Sequence, residues 1–184
     1  MKLLTLSLFT ASLLAASVLM ADTFTLQSAD IRGQLTKTQE FNGFGCSGIN
    51  QSPELHWNNA PKGTKSFALT MYDADAPTGS GWWHWLVINI PATSKQIVTD
   101  ASGKHLLPKG AVETMTDYGS SSFGGACPPK GDKAHNYTFT LHALDVDKLD
   151  LTDKSDSALV GYMINNHTIQ KASIVSYYSR PAKK

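Results

Sequence analysis

The stretch from Phe67 to Ile90, F-A-L-T-M-Y-D-A-D-A-P-T-G-S-G-W-W-H-W-L-V-I-N-I, limits the folds open to this chain more than any other. Phe67, Leu69 and Met71 alternate with smaller or more polar residues, and a second apolar run, Trp85 to Ile90, follows the breaker-rich segment Pro77 to Gly81. This pattern predicts two strands paired antiparallel across a turn. Side chains in a strand repeat with period two, so a regular strand puts Asp73 and Asp75 on the face of Phe67, Leu69 and Met71. The same parity groups His84 with Leu86, Ile88 and Ile90. Pairing the two runs brings both carboxylates and the imidazole to one end of the sheet, where a polar cluster capping an apolar face suits a ligand.

The rest of the chain supports a mainly β domain. Thr23 to Gln27 reads as an edge strand, Ser52 to Trp57 as a short strand, and Ala111 to Met115 as another. His135 to Leu144 is the clearest strand: His135 and Tyr137 share a face with Phe139, Leu141 and Ala143, which repeats the polar end on an apolar face. Two glycine-rich segments, Asn42 to Gly48 and Asp117 to Lys133, are expected to be structured loops. Pro91 to Ser102 is expected to hold a short helical turn. Leu159, Met163 and His167, with Val160 and Ile164 beside them, predict an amphipathic helix over Ser155 to His167, followed by a last strand from Ala172 to Tyr178. The expected architecture is a two-sheet antiparallel sandwich with a late helix.

Residues 1–21 read as a secretory signal peptide, because Lys2 is the only charge ahead of a largely apolar run that ends in small residues. Cleavage after Ala21 or within Ala15-Ala16-Ser17 fits, and a membrane anchor is the competing reading. Residues 22–184 are then one domain, large enough for a substantial core and expected in the periplasm or secreted. Setting Lys2 aside leaves 15 basic residues against 15 acidic ones. With no basic stripe, nucleic acid is not an expected partner. The cysteines are Cys46 and Cys127 alone; an exported protein permits a disulfide between them, and two buried thiols is the alternative.

Each candidate residue has a plainer role. Aspartates beside a proline turn ordinarily bond the turn backbone, and a histidine at a strand end is more often structural than a ligand. Convergence favours a pocket: Asp73, Asp75, His84, His135 and Tyr137 all fall at strand ends, flanked by Trp82, Trp83 and Trp85. There is no G-x-S-x-G, phosphate-loop, dinucleotide or H-E-x-x-H motif. Asp and His sets do bind metals, so a metal-assisted or acid–base hydrolase is the competing enzymatic reading.

These residues resemble the phosphatidylethanolamine-binding proteins, also called Raf kinase inhibitor-like proteins, and in particular their bacterial branch. The D-P-D-x-P signature followed by H-[FW]-[LV]-V-x-N is matched by Asp73-Ala74-Asp75-Ala76-Pro77 and His84-Trp85-Leu86-Val87-Ile88-Asn89. The P-P-x-G then H-R-Y signature is matched by Pro128-Pro129-Lys130-Gly131 and His135-Asn136-Tyr137. Ala74 and Asn136 depart from the pattern, the first loosening the turn and the second altering its outer support. The resemblance implies a pocket for a phosphate headgroup or small anion formed by Asp73, Asp75, Trp82, His84, His135 and Tyr137, with Cys127 and Pro128 as a rim.

It also implies no cofactor, no metal and no catalysis. An exported member would meet membranes at most through lipid headgroups. The alternative role is a protein-targeted inhibitor or modulator acting through the pocket rim.

Overall fold

The computed structural model describes residues 23–182, so the segment read as a signal peptide lies outside the described residues. Among the described residues eight strands form two antiparallel sheets, with one helix beside them. The small sheet has the order β1 (Thr25–Gln27), β2 (Leu55–Asn58), β5 (Gln96–Ile97). The large one has the order β6 (Val112–Glu113), β4 (Trp82–Pro91), β3 (Ser66–Asp73), β7 (His135–Leu144), β8 (Thr168–Tyr178). Helix α1 (Ser157–His167) packs on the outer face of the large sheet. Among the described residues no helix is long and apolar enough to cross a membrane.

Strand β3 is buried on both faces, which is why S-F-A-L-T-M-Y-D shows only a weak alternation of polarity. Its inner face, Phe67, Leu69 and Met71, joins Leu26, Leu55 and Trp57 of the small sheet, and Phe24 just ahead of it, in the main core. The Trp57 and Phe67 ring centroids lie 5.4 Å apart and their planes meet at 60°. Truncating either fully buried aromatic to alanine costs about 3–5 kcal/mol. On the outer face Ala68, Leu86, Ile88 and Leu144 meet Val160 and Ile164 of α1. Asp156 caps that helix by accepting from the Leu159 amide at 2.9 Å.

Several local expectations change. Leu159, placed on the apolar stripe by its spacing, is 44% exposed, and Val160 and Ile164 form the buried stripe instead. The segment Pro91 to Ser102 holds strand β5 and then the start of a single turn, in which the Lys104 amide donates to the Asp100 carbonyl at 3.0 Å. The last strand starts four residues earlier than expected, directly from the end of α1.

Strand β4 is the element that departs most from regular parity. Its pairing with β3 steps from Met71↔Trp85 to Tyr72↔Trp83, leaving His84 as an extra residue, a β-bulge. A second irregularity lies between Phe67↔Ile90 and Leu69↔Val87, where Asn89 has φ 57°. As a result Leu86 and Ile88 face the helix, while Val87, Ile90 and Trp85 belong to the inner core. His84 does not share a face with Leu86 and Ile88 as regular alternation required.

Candidate functional site

Three strand ends meet at one edge of the inner face. Asp73 closes β3, pairs with Trp82 at the start of β4, and pairs with Tyr137 near the start of β7. The bulge turns His84 onto this same side. A cavity of about 160 Å³ results, walled by Asp73, Trp82, His84, His135 and Tyr137 together with Phe44, Tyr118 and the Cys127–Pro129 segment. Pro77 and Thr78 from the β3–β4 turn complete its mouth.

Two loops form the far wall. Cys46 and Cys127 are joined by a disulfide, with Cα atoms 5.9 Å apart, so the two-thiol alternative does not hold. Beside it the chain around Glu40 bridges to Ala126: the Phe41 amide donates to the Ala126 carbonyl at 3.0 Å and the Ala126 amide to the Gln39 carbonyl at 3.1 Å. Gly125 permits this approach, since a Cβ there would lie 2.0 Å from the Gln39 carbonyl oxygen. The buried Glu40 carboxylate anchors the first loop by accepting from Lys37 Nζ at 2.7 Å, the Ser47 amide at 2.9 Å and the Tyr178 hydroxyl. Phe41 stacks on Tyr118 with centroids 4.1 Å apart, and Tyr118 in turn borders Trp82 and His84.

The polar groups on the wall fall into satisfied and unsatisfied sets. Asp73 is fully engaged: Oδ2 accepts from His135 Nδ1 at 2.7 Å and Oδ1 from the Asp75 amide at 2.9 Å. Each oxygen of this buried carboxylate thus accepts a hydrogen bond, which stabilises its charged form. His84 Nδ1 lies 2.8 Å from the Gly124 carbonyl and 3.2 Å from that of Gly125. Burial holds the His84 ring down to about 4, against the opposing pull of those carbonyls and the Asp73 charge. It is therefore neutral at ordinary pH. By contrast the Tyr137 hydroxyl and the Trp82 indole N–H are buried with no hydrogen-bond partner. Burial, with the Asp73 charge behind it, pushes the Tyr137 phenol far above its usual range, so it stays a donor.

Asp75 stands apart from the cavity wall. Strand β3 ends at Asp73, and in the turn that follows the Asp75 carboxylate points to Lys133 Nζ (2.8 Å), the Asn136 amide (2.9 Å) and Asn136 Nδ2 (2.7 Å). Lys133 first, and the two Asn136 donors after it, hold its carboxyl far below the usual range. Asn136 thus supports the turn from outside the cavity, the side on which its strand position places it. Trp83 and Trp85 are not on the wall either: Trp83 packs toward the helix, and Trp85 lies in the core against Phe123 with its indole donating to Glu113 at 2.6 Å. Phe44 and Tyr118 are the wall residues that strand reasoning misses. Their only signal is an aromatic in each glycine-rich loop.

The comparisons with known proteins agree with this fold. The family model described as phosphatidylethanolamine-binding protein matches residues 31–179. The chain belongs to that family. Among relatives of this phosphatidylethanolamine-binding protein family, Escherichia coli YbcL is 51% identical over 162 residues, covering 86% of this chain and 88% of its own. Escherichia coli YbhB is 45% identical over 157 residues, covering 84% and 99%. The crystal structure of YbcL, described as a new member of the mammalian PEBP family, superposes with a TM-score of 0.83 and covers 85% of this chain and 98% of that one. The mainly β family fold and the strand-end cavity thus occur together in this chain.

Proposed function

We propose that this protein binds a small oxyanion or the phosphate headgroup of a larger molecule in the strand-end cavity and does not turn it over. The observation that carries this reading is the pair of buried, unpartnered donors, Trp82 Nε1–H and the Tyr137 hydroxyl, on the wall of one small cavity. An orphaned buried donor costs roughly 1–3 kcal/mol. An oxygen-rich guest recovers that cost twice. A volume of about 160 Å³ accommodates a phosphate-sized group.

Features of the same wall support binding without chemistry. The Asp73–His135 couple has the form of an oriented general base, but its far nitrogen, His135 Nε2, lies 3.5 Å from the Asp132 carboxylate and not beside a nucleophile. Cys127 is tied in the disulfide, and the Thr78 hydroxyl donates to the Gly81 carbonyl at 2.5 Å. Export to the periplasm or the exterior agrees with that disulfide, which persists in oxidising compartments.

Isothermal calorimetry with inorganic phosphate at pH 6 tests the reading. Trp82→Phe and Tyr137→Phe together should weaken binding at least tenfold, since each removes a hydrogen bond to a charged group of about 1.5–3 kcal/mol. Equal affinity in the variant and the parent rules out the cavity as the site.

A second reading, a protein-directed modulator using the rim, is favoured by one observation. Phe44 is 71% exposed at the cavity mouth, and Ile49 on the same loop is 66% exposed. Large apolar side chains on a disulfide-braced rim suit a protein contact. Ile49→Ser, off the cavity wall, should abolish recovery of any partner captured by the parent protein while leaving phosphate binding intact.

A further inference from the structure

A second cleft, of about 280 Å³, shares no wall residue with the strand-end cavity. Gly45 and Ser47, on either side of Cys46, line it, and Lys37, Lys130 and Arg180 bring three positive charges to it. Glu40 is the one carboxylate on its wall among the described residues, and it is buried and already paired with Lys37. Lys130 and Arg180 have no such counterpart. In a chain with 16 basic and 15 acidic residues, this cleft concentrates positive charge that nothing nearby cancels.

Arg180 is set in place for a carboxylate. Its Nε donates to the Pro128 carbonyl at 2.6 Å and its Nη1 to the Gly45 carbonyl at 2.8 Å, next to Cys127 and Cys46 respectively. Two carbonyls thus fix the plane of the guanidinium, while Nη2 keeps no hydrogen-bond partner among the described residues. A planar cation held in this way gives up little freedom when a carboxylate docks on its open side. The same loop adds apolar flanks: Phe44 precedes Gly45, and Ile49, whose amide donates to the Lys37 carbonyl at 2.8 Å, follows Ser47 and Gly48. Both side chains are exposed.

We propose that this cleft docks an acidic segment of a protein partner, with a carboxylate on Arg180 and Lys130 and an apolar side chain of the segment on Ile49. This rests on the protein-directed reading of the rim and adds the chemistry of the partner. Charge alone would serve a phosphate polymer equally well. Exposed apolar side chains beside the charge contribute only against a guest with apolar side chains of its own, which favours a peptide. Each contact at this open mouth is weak by itself, so selectivity comes from the combination.

Fluorescence anisotropy on the whole protein tests the proposal, with a labelled, end-capped octapeptide of alternating glutamate and leucine and its glutamine counterpart. The glutamate peptide should bind about tenfold tighter at about 20 mM salt, and the preference should shrink at about 500 mM as the charges are screened. Lys130 is exposed, so Lys130→Glu should keep the fold and weaken the glutamate peptide about tenfold. Lys109→Glu, ahead of β6 at the opposite edge of the large sheet from β8, makes the same change in net charge and should shift affinity less than about twofold. Ile49→Ser should weaken the glutamate peptide about fivefold and leave inorganic polyphosphate unaffected. If the two peptides bind the parent equally, or not at all, or if Lys130→Glu and Lys109→Glu act alike, the cleft is not the seat of an acidic segment. The rim reading is then decided by partner capture with Ile49→Ser alone. If polyphosphate binds tighter than the glutamate peptide, the guest is not a protein segment and the proposal is wrong.

Discussion

The two faces of the large sheet each hold a buried histidine, and the contrast between them separates a site from a surface. His84, on the inner face, and His142, on the outer face, are both held down to about 4, with burial as the leading cause in each. His142 also has a main-chain-linked tautomer: its Nδ1 lies 3.2 Å from the Thr168 hydroxyl, which itself donates to the Ile164 carbonyl at 2.7 Å. It borders a cleft of about 290 Å³, larger than the inner cavity, walled by Thr70, Thr138, Thr140 and Ser173. The difference lies in what surrounds the rings. Among the described residues none of the buried, unpartnered polar atoms lines the outer cleft, whereas two of them line the inner cavity. A perturbed histidine marks low dielectric; the unfinished hydrogen bonding beside it is what the proposed guest would complete.

The largest test of this contrast concerns the disulfide, which braces only the inner site. It closes a sequence separation of 81 residues, so Cys46→Ala with Cys127→Ala should cost about 4 kcal/mol of stability. Chemical denaturation of the variant against the parent measures this. Phosphate binding should weaken as well, because Phe44 and the Cys127–Pro129 wall lose their tie. A variant as stable as the parent would mean that the loops hold together without it.

Acid titration comes next in size. Both histidines have folded-state values below the unfolded 6.5, so the unfolded chain takes up more protons as pH falls. The stability they confer is present above pH 6.5 and is lost between there and about pH 4, by roughly 3 kcal/mol for each ring. His84→Gln and His142→Gln should each remove its own share, and only the first should also weaken phosphate binding. Equal weakening of phosphate binding by both would erase the distinction between the two faces.

The smallest effect is the sharpest in sign. Tyr137→Phe deletes a buried hydroxyl that bonds nothing, so in ligand-free protein thermal stability should hold or rise by up to about 1 kcal/mol while phosphate affinity falls. A loss of more than 1 kcal/mol would show that the hydroxyl already has a structural partner.

Much of this arrangement was legible before any coordinates. Strand β7, with H-N-Y-T-F-T-L-H-A-L alternating cleanly, and strand β3 were readable because the period-two signal spans whole elements. The family signatures located the same strand ends. The bulge at His84 was not readable, because an extra residue is fixed by how β4 pairs with β3, and W-W-H-W looks equally apolar in either register. The same limit misplaced Asp75: where β3 stops is decided by the turn that Lys133 and Asn136 hold from across the sheet. Phe44 and Tyr118 stayed hidden because the neighbours of a loop aromatic carry no periodic signal: Tyr118 meets Phe41, Trp82 and His84, from segments far apart in the chain. Strand β5, two residues long, left no pattern to detect.

The carbonyls that hold His84 have one further consequence. His135 takes its orientation from the Asp73 side chain, so a single codon change at position 73 can reassign its proton. The partners of His84 are peptide oxygens, present whatever residues occupy positions 124 and 125, provided the loop can still fit there. Side-chain changes along that loop can therefore leave the ring's orientation as it is, and any change in the character of the cavity has to come from the groups opposite it.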